Sequence, residues 1–301
     1  MTPRARGSTL LELLVALPLM ALLTASAVLL LLGTHRMVRS ADSMVTAHRE
    51  LRHAVAAIAA DIRPLSGVDL IAWSDTSLEF NATVGTGIVC DGRGTLSSVD
   101  VLPITQTDAA RTSWNTAPQA GDSLRLWYTD ARSIPRLTPQ SARLASAAVA
   151  RGCIAAPLLQ RASSPAAHVQ HLVLTDPLVH APTLGSPVRV TRRVRLALYR
   201  SSDGDWYIGR TAWNGTAWDV IQPVVGPLLA PARRGLRIDV RDSTGTSLYR
   251  NGALAAQLHV ELRVPRRSPT TTRGGAPTLT DSAIVDMTLR GNRGGENSAA
   301  A

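Results

Sequence analysis

The chain has 301 residues, 32 basic against 22 acidic, and a formal net charge of +10. Every basic residue is arginine, which codon bias in a GC-rich genome explains more simply than selection at each site. A basic surface of this size attracts nucleic acid or acidic lipid, and charge by itself identifies neither. The two cysteines, Cys90 and Cys153, have no further Cys or His at ligand spacing, which excludes a cysteine-based metal motif.

Arg4 and Arg6 open the chain, Gly7-Ser8 follow, and residues 13–33 carry no charge. As a helix this run spans about 31 Å, enough to cross a bilayer core. The two arginines place the N-terminus in the cytoplasm and everything after Gly33 outside. Ala25-Ser26-Ala27 would serve a cleaved secretory signal, but Glu12 would then lie inside its apolar region and the run continues beyond the cut. Glu12 is the informative residue. An ionised carboxylate at the mouth of a membrane-length run costs on the order of several kcal/mol, so it requires a partner or a purpose. Pro18 kinks or locally unwinds the span, as membrane helices tolerate.

Met37, Ala41, Met44, His48, Leu51, Val55, Ile58 and Ile62 recur at alternating spacings of four and three, with Arg36, Arg39, Asp42, Arg49, Glu50, Arg52 and Asp61 off that stripe. Pro64 and Gly67 end the pattern. The spacing predicts a continuous helix over residues 9–63; two helices hinged at Gly33 are the alternative.

Beyond it the chain is long enough for one large domain or two small ones, and Thr, Val, Gly, Pro and Asn/Asp-Gly turns favour β structure. Residues 68–73, 77–82, 99–104 and 123–129 read as strands. Residues 132–167 are rich in Ala, Ser and Pro and read as a long excursion, with one helix at 141–150. From Val188 the alternation is clear. Val188, Val190, Val194, Leu196 and Leu198 face one way, and Arg189, Thr191, Arg193, Arg195 and Tyr199 the other, with Arg192 intruding on the apolar face near a strand bend. Strands at 206–213 and 216–221 meet at an Asn214-Gly215 hairpin, and further strands follow at 236–240, 258–264 and 285–289. The 37–62 stripe is the expected cover for the apolar face. Residues 266–280 read as a loop and 291–301 as a disordered tail. An even cysteine count in an exported domain suggests a Cys90–Cys153 disulfide; two buried free thiols are the alternative.

The leader ending in Gly7, the apolar run and Glu12 together resemble the class III signal of type IV prepilins and type II secretion pseudopilins. In that family cleavage follows the glycine and a glutamate stands fifth in the mature chain. The resemblance implies cleavage between Gly7 and Ser8 by prepilin peptidase and methylation of the new amine of Ser8, although the family starts with an apolar residue there. It also implies pairing of Glu12 with the α-amine of a neighbouring subunit. Asp61-Ile62-Arg63-Pro64-Leu65-Ser66-Gly67 and, later, Leu198-Tyr199-Arg200, the 222–228 segment, Gly235-Leu236 and Asp286-Met287-Thr288-Leu289-Arg290-Gly291-Asn292 are similar to segments of PilW-like minor pilins and J-type minor pseudopilins. The implied fold is α+β and pilin-like: a long N-terminal helix, membrane-spanning in its first half and amphipathic in its second, packed on an antiparallel sheet. Its parts would be a leader (1–7), a transmembrane or filament-core helix (8–33), a helix extension (34–64), a periplasmic domain (65–290) and a tail (291–301). The implied function is a non-catalytic minor subunit without a cofactor. Its partners would be other pilins or pseudopilins, prepilin peptidase, the inner-membrane assembly platform and the inner membrane.

Other chemistry finds less support. His168 and His171 would be splayed by a strand, so no metal site is expected. No G-x-S-x-G setting marks a nucleophile. Gly85-Thr86-Gly87 lacks the context of a phosphate loop. Trp206, Trp213 and Trp218 read as core packing. The basic groups Arg189, Arg193, Arg195 and Arg263, Arg266, Arg267, Arg273, Arg290, Arg293 are the alternative site, since some minor pilins capture DNA through arginines near the C-terminus; Arg266, Arg267, Arg290 and Arg293 are the candidate nucleic-acid contacts. A membrane-anchored periplasmic binding protein unrelated to filaments needs only the anchor.

Overall fold

A computed structural model describes residues 10–91, 96–102, 113–129, 137–151, 168–266 and 279–290 of the chain. Two long strands organise it. β2 (Ser77–Asp91) and β8 (Pro187–Arg200) pair antiparallel from Ser77↔Ala197 to Ile88↔Pro187, with a register shift between Thr83 and Gly85. On β2, Leu78, Phe80, Ala82 and Val84 are buried on one side while Asn81 and Thr83 face the other. At one end β1 (Leu70–Ser74) joins β2, and β9 (Trp206–Ala212) followed by β10 (Gln222–Leu228) extends from β8. At the other end β3 (Ser98–Val101), β7 (His168–Leu174), β6 (Leu137–Arg151) and β5 (Ser123–Thr129) lead from β2 round to β8. The path β2-β3-β7-β6-β5-β8 closes through the β2–β8 ladder into a six-stranded barrel, with β4 (Ser113–Trp114) as a short extra partner of β2. A separate sheet runs β11 (Leu236–Arg241), β12 (Gln257–Arg266), β13 (Leu279–Thr288), antiparallel throughout.

The shared strands serve two hydrophobic cores. Val84, Val89, Val188 and Val190 fill the barrel together with Val99, Val101, Leu124, Leu126, Leu144 and Leu172. The barrel interior is therefore packed with aliphatic side chains, as a small barrel allows. Leu78, Phe80, Ala82, Val194 and Leu196 belong to the other core, which lies between the β1-β2-β8-β9-β10 end and the β11–β13 sheet.

The helix α1 (Leu10–Ile62) closes this second core. It lies against β13, β12 and β10. Ala47, Leu51, Ala54, Ile58, Ala59 and Ile62 are buried there, the alanines letting the helix axis approach closely. Leu65 and Ser66 then meet the end of β13: Arg290 N–H donates to Leu65 C=O at 2.9 Å, and Ser66 and Arg290 form a parallel bridge. Asp61, at the helix end, accepts from Arg210 Nε at 3.2 Å on β9. The barrel thus continues past the C-terminal end of α1, on the side away from its apolar N-terminal half.

This corrects the expected pilin-like α+β arrangement of one helix laid over one sheet. The described residues are mostly β, 49% strand, and the sheet closes into a barrel. The helix face is too short to cover strands as long as β2 and β8, so their far halves bury themselves by closure, which also removes exposed strand edges. The helix expected at 141–150 is instead part of β6, paired with β5 as far as Arg143 and with β7 from Leu144 onward. Its alanines and serines have helix propensity or are neutral, and pairing overrides such preferences. The strand expected at 216–221 begins only at Gln222; Trp213 and Trp218 form an isolated bridge around Asn214-Gly215. The expected stripe is buried only in part, with Met37, Ala41, Met44 and His48 exposed.

Cys90 lies on β2, fully buried and disulfide-bonded. The chain's other cysteine, Cys153, falls outside the described residues. A bridge closing a loop of roughly 60 residues stabilises by about 4 kcal/mol in the chain-entropy model. Reducing the detergent-solubilised chain should therefore lower its unfolding free energy by about that amount in urea titration. Leu126→Ala, in the middle of the barrel core, should cost about 2–5 kcal/mol in the same assay.

Candidate functional site

Two features carry functional information: the N-terminal half of α1 and the arginine face of β8. Leu10 is the first described residue, so Gly7 and Ser8 lie outside the described residues, while Glu12 stands in the first turns of the helix. From Leu14 onward the apolar side chains are exposed along the whole run, including Leu17, Met20, Leu23, Leu29 and Leu32. This is a helix long and apolar enough to cross a membrane. The helix continues past Gly33 without a break, and through Thr46 its described side chains remain exposed. It stands clear of the domain until Ala47.

The arginine face of β8 is organised by buried acids that sequence reasoning missed. Glu79 on β2 is buried beneath Arg193 and Arg195; it accepts from Arg195 Nη2 at 2.9 Å and also pairs with Arg193. Trp218 covers the pair from above, with the Arg195 guanidinium 4.4 Å and that of Arg193 5.4 Å from its ring centre. Trp213 meets Trp218 edge to face at 5.5 Å. These two tryptophans, expected in the core, are half-buried covers for charged side chains. Arg189 donates to both oxygens of Asp69 at 3.0 Å and to Thr83 Oγ1, while Ser66 N–H and Oγ donate to Asp69 at 2.8 Å. The exit of the helix is thereby tied to β8.

Arg192, the intruder, lies where the two cores meet. Its Nε and Nη2 donate to Asp122 at 2.7 and 2.9 Å, and Nη2 also donates to Ala117 C=O. The Asp122 side chain is 0% exposed. The register shift in β2 lies opposite Thr191 and Val190, one position away. The signal for these pairs was present in the sequence, since arginines on a half-buried strand need counter-charges. Only the strand pairing identifies which acids supply them.

The remaining candidates are dispersed. His171 bonds to Asp100 at 2.6 Å across β7 and β3, and His168 stands three positions away on the same strand. Among the described residues no group of three or more His, Cys, Asp or Glu is placed to hold a metal. Arg263 is paired with Glu261 at 2.6 Å, Arg290 is exposed beside Ser66, and Arg266 ends β12. Arg267, Arg273 and Arg293 lie outside the described residues.

No protein-family model matches the chain, and no curated protein and no solved structure matches it.

Asp122→Asn leaves a buried guanidinium without its counter-charge and should cost about 3–5 kcal/mol in chemical denaturation. Replacing both partners, Asp122→Leu with Arg192→Met, should recover most of that loss. If the single substitution is as stable as the parent chain, the pair does not hold the junction.

Proposed function

We propose that the chain is a non-catalytic minor subunit of a type IV pilus or type II secretion pseudopilus, held by its N-terminal helix and displaying its barrel away from the membrane. The division of α1 carries this reading: residues 47–62 are built into the domain core, while the apolar half before them is free of it. A helix needed only as an anchor has no use for a carboxylate at its mouth. Glu12 gains one if it meets the free α-amine of an adjacent subunit, because a buried charge is tolerated only when paired. Removal of residues 1–7 by prepilin peptidase would create that amine on Ser8. The subunit would then rest in the inner membrane with its bulk in the periplasm until an assembly platform extracts it. A barrel extending past the helix end suits a terminal position better than a repeating shaft.

This reading rests on the N-terminal segment, because the domain does not have the pilin-like fold. That same fact favours a second reading, a membrane-anchored periplasmic protein unrelated to filaments, in which Glu12 is incidental. The DNA-capture alternative loses part of its basis, since Arg189, Arg193, Arg195 and Arg263 are engaged with acids of the domain.

N-terminal sequencing of the membrane-extracted protein should begin at Ser8; a start at Val28 would mean a secreted protein and end the assembly reading. Glu12→Val should leave processing and membrane insertion intact and abolish co-purification with other pilins. Normal assembly of the valine variant would instead favour the plain anchor.

A further inference from the structure

We propose that the end of the three-stranded sheet nearest the membrane docks on anionic phospholipid headgroups through Arg233 and Arg234, so that the domain reclines on the bilayer that anchors it. The inference rests on the membrane-spanning reading of α1. It follows from where the fold places a charged loop relative to the anchor. α1 and β13 end together at Leu65 and Arg290 and lie against each other, so both run back from that joint toward the apolar half of the helix. β11 and β12 pair with Leu236 opposite Leu262, and Val264 pairs with Asp281 on β13. Arg234 therefore stands level with Val264 and Asp281.

From Arg290 back to Asp281 is roughly 30 Å of strand at about 3.3 Å per residue. The same distance along α1 returns to about residue 45, which leaves about 18 Å of helix before Gly33. The headgroup layer takes about 5–7 Å of this on each side of the hydrocarbon. The remaining gap is about 12 Å, comparable to a Debye length of about 8 Å at physiological salt, and a helix tilt of about 20° lowers one side of the domain further.

The chemistry at that level is asymmetric. Arg233 and Arg234 are exposed in the turn 231–235, where no acidic residue occurs, and neither forms an ion pair among the described residues. Arg237, on β11 opposite Glu261, is also exposed. Arg263, beside them through the Arg263 N–H to Gly235 C=O bond, is already paired with Glu261. Asp281 on β13 is the acid of this sheet at that level. On the other sheet Asp203 and Asp205 in the β8–β9 turn, level with the start of β9, outnumber Arg200 beside them, and Asp75 lies further from the membrane. Hydrogen bonds from the Asp205 backbone and from Tyr207 hold Asp203 ionised below the ordinary carboxylate range. An anionic surface therefore attracts the three-stranded sheet and repels the β8–β9 turn, which fixes the direction of the tilt. The tether keeps the two surfaces at high effective concentration, so weak contacts suffice.

The test uses the full chain in nanodiscs of zwitterionic lipid or with about one-third anionic lipid, read by backbone hydrogen exchange. Recovery in discs comes first; a chain that does not insert refutes the anchor, and the proposal with it. In inserted chain, amides of 232–237 should exchange about tenfold more slowly in anionic than in zwitterionic discs near 0.1 M salt, and equally in both near 0.5 M. Each arginine near an anionic surface is worth about fivefold in the docked population, so Arg233→Gln with Arg234→Gln should remove roughly thirtyfold and abolish the difference. Asp203→Asn with Asp205→Asn should enlarge it. Unchanged exchange of the core strands checks that the variants are folded. Equal exchange in the two disc types overturns the proposal. Slowing by an added single-stranded oligonucleotide in zwitterionic discs, without slowing by anionic lipid, also overturns it and assigns the arginines to nucleic acid.

Discussion

The structure depends on the β2–β8 ladder being long enough to belong to two cores at once. One face of each strand must supply apolar side chains first to the barrel and then to the helix-covered layer. A strand has one side-chain period, so a slip of the whole ladder by one residue would invert both cores. Arg192 and Asp122 stand at the boundary, where the apolar line is interrupted and the opposite strand shifts register. Their mutual attraction does not explain the fold's stability, since a buried pair roughly offsets its own desolvation. Asp122 immediately precedes β5, so a pair made only when Ser123 lies opposite Thr191 favours that register of β5 on β8, beside the shift in β2.

The acids near this ladder are engaged the same way. Asp69, Glu79 and Asp122 are all buried, and each is taken up by an arginine of β8. A chain with a large arginine surplus thus commits three of its 22 acids to buried pairs that hold strands and the helix exit in place. The surplus is left at the periphery. Net charge alone could not separate structural arginines from available ones, and that distinction decides which surfaces can meet a polyanion.

The sequence made some elements plain. The helix from its apolar start to Pro64 was legible because its pattern is local and long, and β8, β11 and β12 because valine, leucine and isoleucine alternate cleanly with charge. β9 was legible from the Asp-Gly and Asn-Gly turns at its two ends, and β13 only from Val285 onward. The barrel was not legible. β6 reads Ala-Ser-Ala-Ala where branched residues would mark a strand, and only its pairing with its neighbours makes it extended. The alternation of β2 is readable only as far as residue 82, because Gly85 and Gly87 interrupt it. Those glycines mark where the Trp114 and Val101 side chains occupy the space a Cβ would need. Closure itself depends on β3 with β7 and β5 with β8, contacts between distant segments that no local pattern encodes. At the candidate site, Glu12 was legible as an anomaly against its apolar surroundings. The partners of Arg193 and Arg195 were not, because Glu79 becomes their neighbour only through strand pairing.

The joint between helix and barrel has a mechanical consequence. Tension between the bilayer and something gripping the barrel passes from α1 through the short 63–69 segment into β1 and β2. There it runs along the β2–β8 ladder, parallel to the strands and across their hydrogen bonds. Strands loaded in this direction must slide past one another, breaking many bonds together, whereas strands pulled apart from one end open one bond at a time. The Asp69–Arg189 pair fastens the point where the load enters to the strand that resists it. That pair therefore lies on the covalent path by which any pull on the helix would reach the barrel.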